Sequence, residues 1–349
     1  MQMPSWVLAV LASPLNEIPA PARDPRDASR VTAMRTSPIA DTGIELTVIG
    51  LGGYELEDLE MGSKDTAQRV IAAALDAGIN WIDTAEAYFA GGNETLIGRA
   101  LGGGADLKLS TKVAPEPIGS GFRPEQIASA CRASLDRLGV DHLDLYFLHA
   151  PDETGVPLGE TWDAMVRLVD DGLVLAIGLS NFTREDLDLC REIRGVDVIQ
   201  QGLSLVDHLE ERDVICYCGQ TGTAVVTYEP LGSGILTGAV TRDTDPVSVW
   251  GEDFVEWGFY QRLFAPGKIE RSLVVVDRLR EMAERLDITV PRLALAWNLA
   301  QPGVTSAIAG SRNPAHVTEN AAAVAVELSP PDLEELEAVM RLGPSFDEP

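Results

Sequence analysis

Residues 107–149 read LKLSTKVAPEPIGSGFRPEQIASACRASLDRLGVDHLDLYFLH. Two short runs with strand character, 107–113 and 143–149, flank the segment 124–138. In that segment apolar residues recur at helical spacing, a proline opens the run and Gly139 follows it, which predicts a helix. A helix that joins two strands is typical of a crossover between parallel neighbours. This stretch therefore predicts a β–α–β unit.

The same unit recurs along most of the chain. Strands are predicted at 47–52, 80–84, 107–113, 143–149, 174–179, 197–200, 223–228 and 304–309. Helices are predicted at 65–77, 124–138 and 158–171, with a weaker amphipathic case at 207–219. Eight such units predict an α/β fold in which a parallel sheet closes into a (β/α)8 TIM barrel. The open doubly wound sheet is the competitor, but no G-x-G-x-x-G turn follows an early strand.

Three pieces stand outside this repeat. Residues 36–50 are predicted to form an N-terminal β-hairpin that caps the bottom of the barrel. Residues 229–268 form a long, aromatic-rich loop after strand seven, and a loop of this length is usually functional. Extra C-terminal helices are predicted at 314–324 and 331–341. We expect one barrel domain over 34–349, preceded by a Pro-rich, charged and disordered extension over 1–33.

Composition excludes several classes of function. The 349 residues carry 54 acidic and 27 basic side chains, a net charge of −27, which disfavours nucleic acid and anionic membranes as partners. No apolar run approaches the roughly 18 residues of a membrane span. The four cysteines lack metal-ligand spacing, which predicts plain thiols, no metal and a cytoplasmic location. The short apolar run 6–11 leaves a secretory signal as the alternative.

Titratable residues mark the ends of three neighbouring strands. Asp83, Lys112 and His149 end the second, third and fourth predicted strands, and Tyr88 follows Asp83 by five residues. Active sites of such barrels lie at the carboxyl ends of the strands, so the four side chains are expected to converge. A lysine paired with Asp83 is expected to lower the pKa of Tyr88, which then exchanges a proton with substrate oxygen, while His149 holds that oxygen.

Several ordered motifs resemble those of the aldo-keto reductases. The matching stretches are NWIDTAEAY (80–88), NETLIGRAL (93–101), STKV (110–113), LDLYFLH (143–149), AIGLSNF (176–182), YEPLGSGILTG (228–238) and AGSRNP (309–314), with Glu319 and Asn320 beyond them. The resemblance covers roughly 36–343 and implies that Asp83, Tyr88, Lys112 and His149 are the catalytic tetrad. Tyr88 would then be the general acid in carbonyl reduction.

The resemblance also implies which residues bind a nicotinamide cofactor. They are Gly53, Tyr54, Ser180, Asn181, Gln200, Tyr228, Leu231, Gly232, Ser233, Leu236, Gly238, Gly310, Ser311, Arg312, His316, Glu319 and Asn320. Arg312 and the start of the following helix would supply local positive potential for phosphate. Family members often carry Lys or Arg at the positions of Gly310 and His316. This chain departs from that pattern at both positions, which opens the use of NAD(H), but Arg312 compensates, so NADP(H) remains favoured.

The predicted function is reduction of an aldehyde or ketone, sugar-like or from secondary metabolism, to the alcohol. Tyr54, Phe89, Trp250 and Trp257 are expected to wall an apolar substrate pocket. The partners expected are a small carbonyl or alcohol substrate, with the chain acting as a monomer or homo-oligomer. The alternatives are an aldose or alcohol dehydrogenase running oxidatively, and a cofactor-sensing regulatory subunit.

Overall fold

The computed structural model describes residues 33–56, 64–102, 107–114, 122–152, 155–207, 211–250, 261 and 263–344. The strands are β1 Thr36–Ile39, β2 Ile44–Thr47, β3 Ile49–Gly52, β4 Trp81–Asp83, β5 Lys108–Val113, β6 Leu143–Leu148, β7 Val174–Ser180, β8 Val198–Gly202, β9 Ala224–Tyr228 and β10 Ser306–Gly310. The α-helices are α1 Lys64–Asp76, α2 Gly92–Leu101, α3 Pro124–Leu138, α4 Leu158–Asp170, α5 Arg184–Arg191, α6 Glu211–Thr221, α7 Pro246–Trp250, α8 Lys268–Arg285, α9 Val290–Ala300, α10 Pro314–Ala321 and α11 Pro330–Met340.

Eight of these strands form a closed parallel barrel in the order β10-β3-β4-β5-β6-β7-β8-β9. This confirms the predicted (β/α)8 fold. Every predicted barrel strand is present, with ends that shift by one or two residues. Helix α3 has the predicted bounds, buries Ile127, Cys131, Leu135 and Leu138, and ends where Gly139 adopts a left-handed φ of 72°.

The N-terminal hairpin is also present, with β1 antiparallel to β2. The sequence predictions for the hairpin (36–50) and for the first barrel strand (47–52) overlapped. In the structure the hairpin ends at Thr47 and the barrel strand begins at Ile49, with Val48 between them. Ile39, Ile44 and Leu46 of the hairpin pack with the first residue of β4, Trp81, inside the barrel. The Thr47 carbonyl accepts hydrogen bonds from Trp81 Nε1 at 3.0 Å and Ser306 Oγ at 2.7 Å. The hairpin therefore closes the amino end of the barrel.

Five helices of the described chain were absent from the sequence predictions, namely α2, α5, α7, α8 and α9. Two of them carry start signals that sequence reasoning could have used. Thr183 caps α5 by accepting from the Asp186 amide, and Thr289 caps α9 with Pro291 in the first turn. The predicted loop 229–268 contains the short helix α7 and a 3₁₀ turn, Ile235–Thr237. Residues 251–260 and 262 of that loop lie outside the described residues, as do 1–32 of the predicted extension.

Candidate active site

The four predicted catalytic side chains meet at the carboxyl end of the barrel. Lys112 is fully buried, and its Nζ donates to Asp83 Oδ2 at 2.5 Å and to the Thr84 carbonyl at 2.8 Å. The Lys112 Nζ also lies 5.1 Å from the centroid of the Tyr88 ring. The Tyr88 and His149 ring centroids are 5.7 Å apart, edge to face. Topology thus joins residues that are up to 66 positions apart in the chain.

The Asp83 carboxylate is held by more than the lysine. Its Oδ1 accepts from Ser110 Oγ at 2.7 Å and from Gln200 Nε2 at 3.0 Å. All of these groups are nine-tenths or more buried. A buried ion pair is stable only when its remaining hydrogen-bonding capacity is met, and here it is met from three strands. The pair is therefore fixed directly beneath Tyr88.

Tyr88 lies between aromatic neighbours at the carboxyl end of the barrel, in the half-buried region that we call the cleft. The Tyr54 ring meets it edge to face at 4.9 Å, and Phe89 lies 5.6 Å from Tyr54. Tyr54, Tyr88, Phe89 and His149 are all half-buried, so one side of each remains accessible. Two of the four predicted pocket residues, Tyr54 and Phe89, are therefore beside Tyr88. The Trp250 side chain and the whole of Trp257 lie outside the described residues.

The environment of Tyr88 raises its pKa, whereas the sequence led us to expect a lowered pKa. Desolvation, followed by the carboxylates of Asp83 and Glu55, raises the pKa of Tyr88 well above its usual value. The expectation that Lys112 lowers the pKa of Tyr88 was wrong, because desolvation of the phenol and the neighbouring carboxylates raise it. Burial likewise lowers the pKa of Lys112, against the opposing attraction of Asp83. The phenol is therefore protonated at neutral pH and has a proton to donate, and in this environment it is a weaker acid than a free tyrosine.

His149 is held neutral. Desolvation, with a smaller contribution from the Lys112 charge, lowers the pKa of His149 to about 3. Its amide donates to the Val113 carbonyl at 2.9 Å, and its own carbonyl accepts from Asn181 Nδ2 at 3.2 Å. A neutral imidazole offers one N–H and one acceptor nitrogen. It can therefore hydrogen-bond a substrate oxygen without adding a charge.

The depressed pKa of His149 predicts an acid sensitivity of the fold. Between pH 6.5 and about 3 the unfolded chain binds a proton at this residue and the folded chain does not. The contribution of His149 to the unfolding free energy is therefore fully present above pH 6.5. Below pH 6.5 it falls by at most about 1.4 kcal/mol for each pH unit. Urea unfolding at pH 7, 6 and 5 should show a shallower loss in His149→Asn than in the wild type. The same substitution at exposed His142 is the control, and parallel losses in wild type and His149→Asn would contradict the prediction.

The segment that follows Tyr88 has a strained backbone and is packed against Arg137 of helix α3. Phe89 and Ala90 both adopt a left-handed φ of 53°, a conformation that costs free energy in residues other than glycine. Arg137 of α3 packs so closely on Gly91 that a Cβ atom there would overlap its side chain. Arg137 Nε donates to Glu94 Oε2 at 2.6 Å, and its Nη2 lies 3.8 Å from Glu86 Oε2. Two carboxylates that flank Tyr88 in sequence are thus joined through one guanidinium.

Arg137→Met is expected to loosen this segment. Because Glu94 is fully buried and loses its charge partner, the unfolding free energy should fall by about 2 kcal/mol. The displaced Tyr88 should lower kcat by about tenfold with a smaller change in KM. Arg137→Lys should recover part of kcat, and Arg132→Met, on the exposed face of the same helix, is the matched control. A loss of stability with unchanged kcat would assign Arg137 a purely structural role.

Predicted cofactor residues line one side of the cleft, beginning at the ends of β7 and β9. Asn181 adopts a left-handed φ of 66°, accepts from Tyr228 Oη at 2.7 Å and donates from Nδ2 to Ser180 Oγ at 3.1 Å. The Tyr228 ring lies against Gly202, where a Cβ atom would be 3.2 Å from it. Gln200 is close by, with its amide nitrogen bound to Asp83. These side chains share one hydrogen-bonded wall.

The predicted pyrophosphate loop, 231–238, follows β9 directly. Ser233, Gly232, Gly234 and Gly238 all have positive φ angles. Gly232 packs on Val206, and Leu236 is fully buried. The Leu236 side chain therefore belongs to the core, so only its backbone is available to a ligand. Leu231 and Ser233 are half-buried at the cleft.

The end of β10 and the start of α10 form the predicted adenosine site. Asn313 caps the helix by accepting from the Ala315 amide at 3.0 Å, and Ser311 Oγ accepts from the Asn313 amide at 3.0 Å. The His316 Nε2 lies 3.3 Å from Asn313 Nδ2. Glu319 is held by Thr289 Oγ1 at 2.6 Å and Arg292 Nη2 at 2.8 Å. Arg312 lies next to this helix start, and the positive end of the helix dipole there favours an anion such as a phosphate.

One buried polar atom in this region has no partner. Asn320 is 4 % exposed, and its Nδ2 makes no hydrogen bond with any described residue. An orphaned buried donor is destabilising unless a ligand or water satisfies it. On the opposite side of the cleft, the Gly53 amide donates to the Asp83 carbonyl at 2.8 Å, which brings the Gly53–Tyr54 backbone close to the tetrad. The residues present therefore fit a dinucleotide.

Comparison with known proteins identifies the family of this chain. The family model described as the aldo/keto reductase family matches residues 48–341. The chain belongs to the aldo/keto reductase family.

Two curated relatives and one solved structure illustrate its place in that family. The aldo-keto reductase YhdN of Bacillus subtilis is 32 % identical over 332 residues, with 90 % of this chain and 98 % of the relative covered. The NADH-specific methylglyoxal reductase of Escherichia coli is 31 % identical, with 86 % and 96 % covered. The structure of a glycerol dehydrogenase from Gluconobacter oxydans superposes with a TM-score of 0.76 at 29 % identity, covering 91 % of this chain and 98 % of that one.

This aldo/keto reductase is an NAD(P)H-dependent oxidoreductase that acts on carbonyl groups. Among the described residues, no group of three or more His, Cys, Asp or Glu side chains could hold a metal ion. No helix in the described part of the chain is long and apolar enough to cross a membrane. Sequence reasoning missed Glu55, Glu229 and Arg137, although the first two directly follow Tyr54 and Tyr228 in the sequence.

Proposed function

We propose that this aldo/keto reductase reduces an aldehyde or ketone to the alcohol, with Tyr88 as the proton donor. The observation that carries the proposal is the position of Tyr88 at the cleft, over the buried Lys112–Asp83 pair and beside His149. The Lys112 ammonium group near the Tyr88 ring supports this role, because a nearby cation favours the phenolate that proton donation leaves.

In the proposed reaction, bound reduced nicotinamide supplies the hydride to the carbonyl carbon. Tyr88 Oη transfers its proton to the carbonyl oxygen. The neutral His149 ring orients that oxygen through a hydrogen bond. Lys112 then stabilises the phenolate left on Tyr88, and Asp83 keeps the ammonium group in place. Tyr54 and Phe89 provide the apolar wall expected around a small or medium organic substrate, sugar-like or from secondary metabolism.

Ser180, Asn181, Gln200 and Tyr228 are proposed to hold the nicotinamide half of the cofactor. Residues 231–238 and 310–320 are proposed to hold the phosphates and adenosine. The unpartnered Asn320 Nδ2 and the position of Arg312 next to the start of α10 support this assignment. Arg312 supports NADP(H), whereas similarity to a relative named as NADH-specific supports NAD(H). Monomeric or homo-oligomeric state and cytoplasmic location stay predictions.

The test is a panel of aldehydes, ketones and sugars followed through the absorbance of reduced nicotinamide, with NADH and NADPH in parallel. We expect turnover of at least one carbonyl class with at least one cofactor. Failure of the purified protein to bind either cofactor would overturn the proposal.

Oxidation of an alcohol or aldose is the second candidate, favoured by the similarity to a glycerol dehydrogenase. Rates with NADPH or NADH plus aldehyde, compared with rates for NADP⁺ or NAD⁺ plus polyol or sugar, separate the two directions. Tight cofactor binding without turnover in either direction would instead indicate the regulatory alternative.

A further inference from the structure

Glu55 occupies an unexpected place at the edge of the proposed cofactor site. It lies in the short 3₁₀ turn Tyr54–Leu56 that follows β3. Strands β3 and β10 pair up to their last residues, Gly52 and Gly310. The Glu55 side chain folds across this junction, so that a Cβ atom added to Gly310 would overlap the carboxylate. The carboxylate therefore lies directly on the backbone of Gly310.

This position reverses the charge that the resemblance leads one to expect. The resemblance implies a basic side chain at the position of Gly310, and a Cβ atom there would point into the space that the Glu55 carboxylate fills. Glu55 is exposed as a residue, but its carboxylate is turned against the Gly310 backbone, which reduces the hydration of that group. An anionic group thus takes the place of a cationic one beside the proposed adenosine site.

The charges around Glu55 come from three adjacent strand ends. Arg312 follows β10 and attracts the carboxylate, whereas Glu229 follows β9 and repels it; Tyr54 and Tyr88 are the other titratable groups that face it. Desolvation, reinforced by Glu229, raises the pKa of Glu55 to about 7 against the effect of Arg312. The positive potential of Arg312 is thus partly cancelled before any ligand binds. The cancellation is greatest above pH 7, where Glu55 is ionised.

We propose that Glu55 is a specificity-determining residue that disfavours the 2′-phosphate of NADP(H) and thereby shifts preference towards NAD(H). This inference rests on the proposed function. A carboxylate repels a phosphate, and it can accept hydrogen bonds from ribose hydroxyls, which is how acidic residues select NAD in other dinucleotide sites. Glu55 can favour NAD(H) over NADP(H) by repelling the 2′-phosphate alone, without any additional contact with NAD(H).

The test compares cofactor affinities of the full chain and of Glu55→Gln, an isosteric change that removes only the charge. NADPH and NADH are titrated by nicotinamide fluorescence and quenching of protein fluorescence. At pH 8.5, Glu55→Gln should lower the Kd for NADPH by about tenfold, the effect of removing one partly screened repulsion. The Kd for NADH should change by less than about twofold, since NADH shares the pyrophosphate but lacks the 2′-phosphate that Glu55 is proposed to repel. The difference between the cofactors should shrink at pH 6.

The matched control is Glu45→Gln, which removes an exposed charge on β2 at the opposite end of the barrel. It should leave both affinities unchanged. Glu55→Ala should change affinities in the same direction as Glu55→Gln, and thermal unfolding checks that both variants are folded. Equal changes for both cofactors, no change, or weaker NADPH binding in Glu55→Gln would overturn the inference while leaving the proposed function intact. Absence of binding by the wild type would overturn the proposed function itself.

Discussion

Tyr88→Phe is expected to lower kcat for carbonyl reduction by a factor of about 10² to 10⁴, the usual contribution of a positioned general acid. The change removes one hydroxyl oxygen and keeps the ring that contacts Tyr54 and His149. The cleft should therefore keep its shape, and the Kd of reduced cofactor should stay within about threefold of the wild-type value. Steady-state kinetics and fluorescence titration measure the two quantities.

The matched control for this prediction is Tyr146→Phe. Tyr146 is fully buried, and its hydroxyl has no hydrogen-bond partner among the described residues. Deleting that hydroxyl should leave kcat unchanged and should leave stability equal or slightly higher. If Tyr88→Phe kept more than about a tenth of wild-type kcat, the assignment of Tyr88 as proton donor would be wrong.

Lys112→Met is expected to have the largest effect on stability. It leaves the Asp83 carboxylate buried without its cation, and breaking a buried pair in this way costs about 3–5 kcal/mol. Activity should fall as well, by about a hundredfold or more, because the phenolate of Tyr88 loses its stabilising charge. Urea unfolding and steady-state kinetics on the same preparations measure both effects.

A double variant separates the two consequences. Asp83→Asn combined with Lys112→Met removes the uncompensated charge, so stability should recover in part while activity stays low. Lys108→Met, at the accessible start of the same strand, is the control and should cost less than about 1 kcal/mol. If Lys112→Met were as stable as Lys108→Met, the buried pair would not contribute as the geometry indicates.

The strands and their order were predictable because each barrel strand is a short apolar run whose period differs from that of the helices around it. The convergence of Asp83, Lys112 and His149 followed, since parallel strands end on the same face. Helices α8 and α9 were missed because their sequences border a long loop, and α9 is apolar on most sides. A helix buried that thoroughly carries little amphipathic signal.

The electrostatics of the site could not be predicted in the same way. The pKa of Tyr88 depends on desolvation and on Asp83, Glu55 and Glu229, which come from three different strand ends. Glu55 and Gly310 are separated by 255 positions, and no local pattern shows that they touch. Residue identity indicates which groups can titrate, whereas the sign of each pKa shift depends on the neighbours that folding supplies.

The hairpin β1–β2 has a practical consequence for the use of this protein. It closes the amino end of the barrel, so the described chain begins on the face opposite the cleft. A resin, electrode or fusion partner joined at Ala33 would start on the face of the barrel away from Tyr88. Immobilisation at that point should therefore leave substrate entry and product exit unobstructed. Attachment through lysines would involve Lys64, which lies at the start of α1 and so on the same side of the barrel as Tyr88.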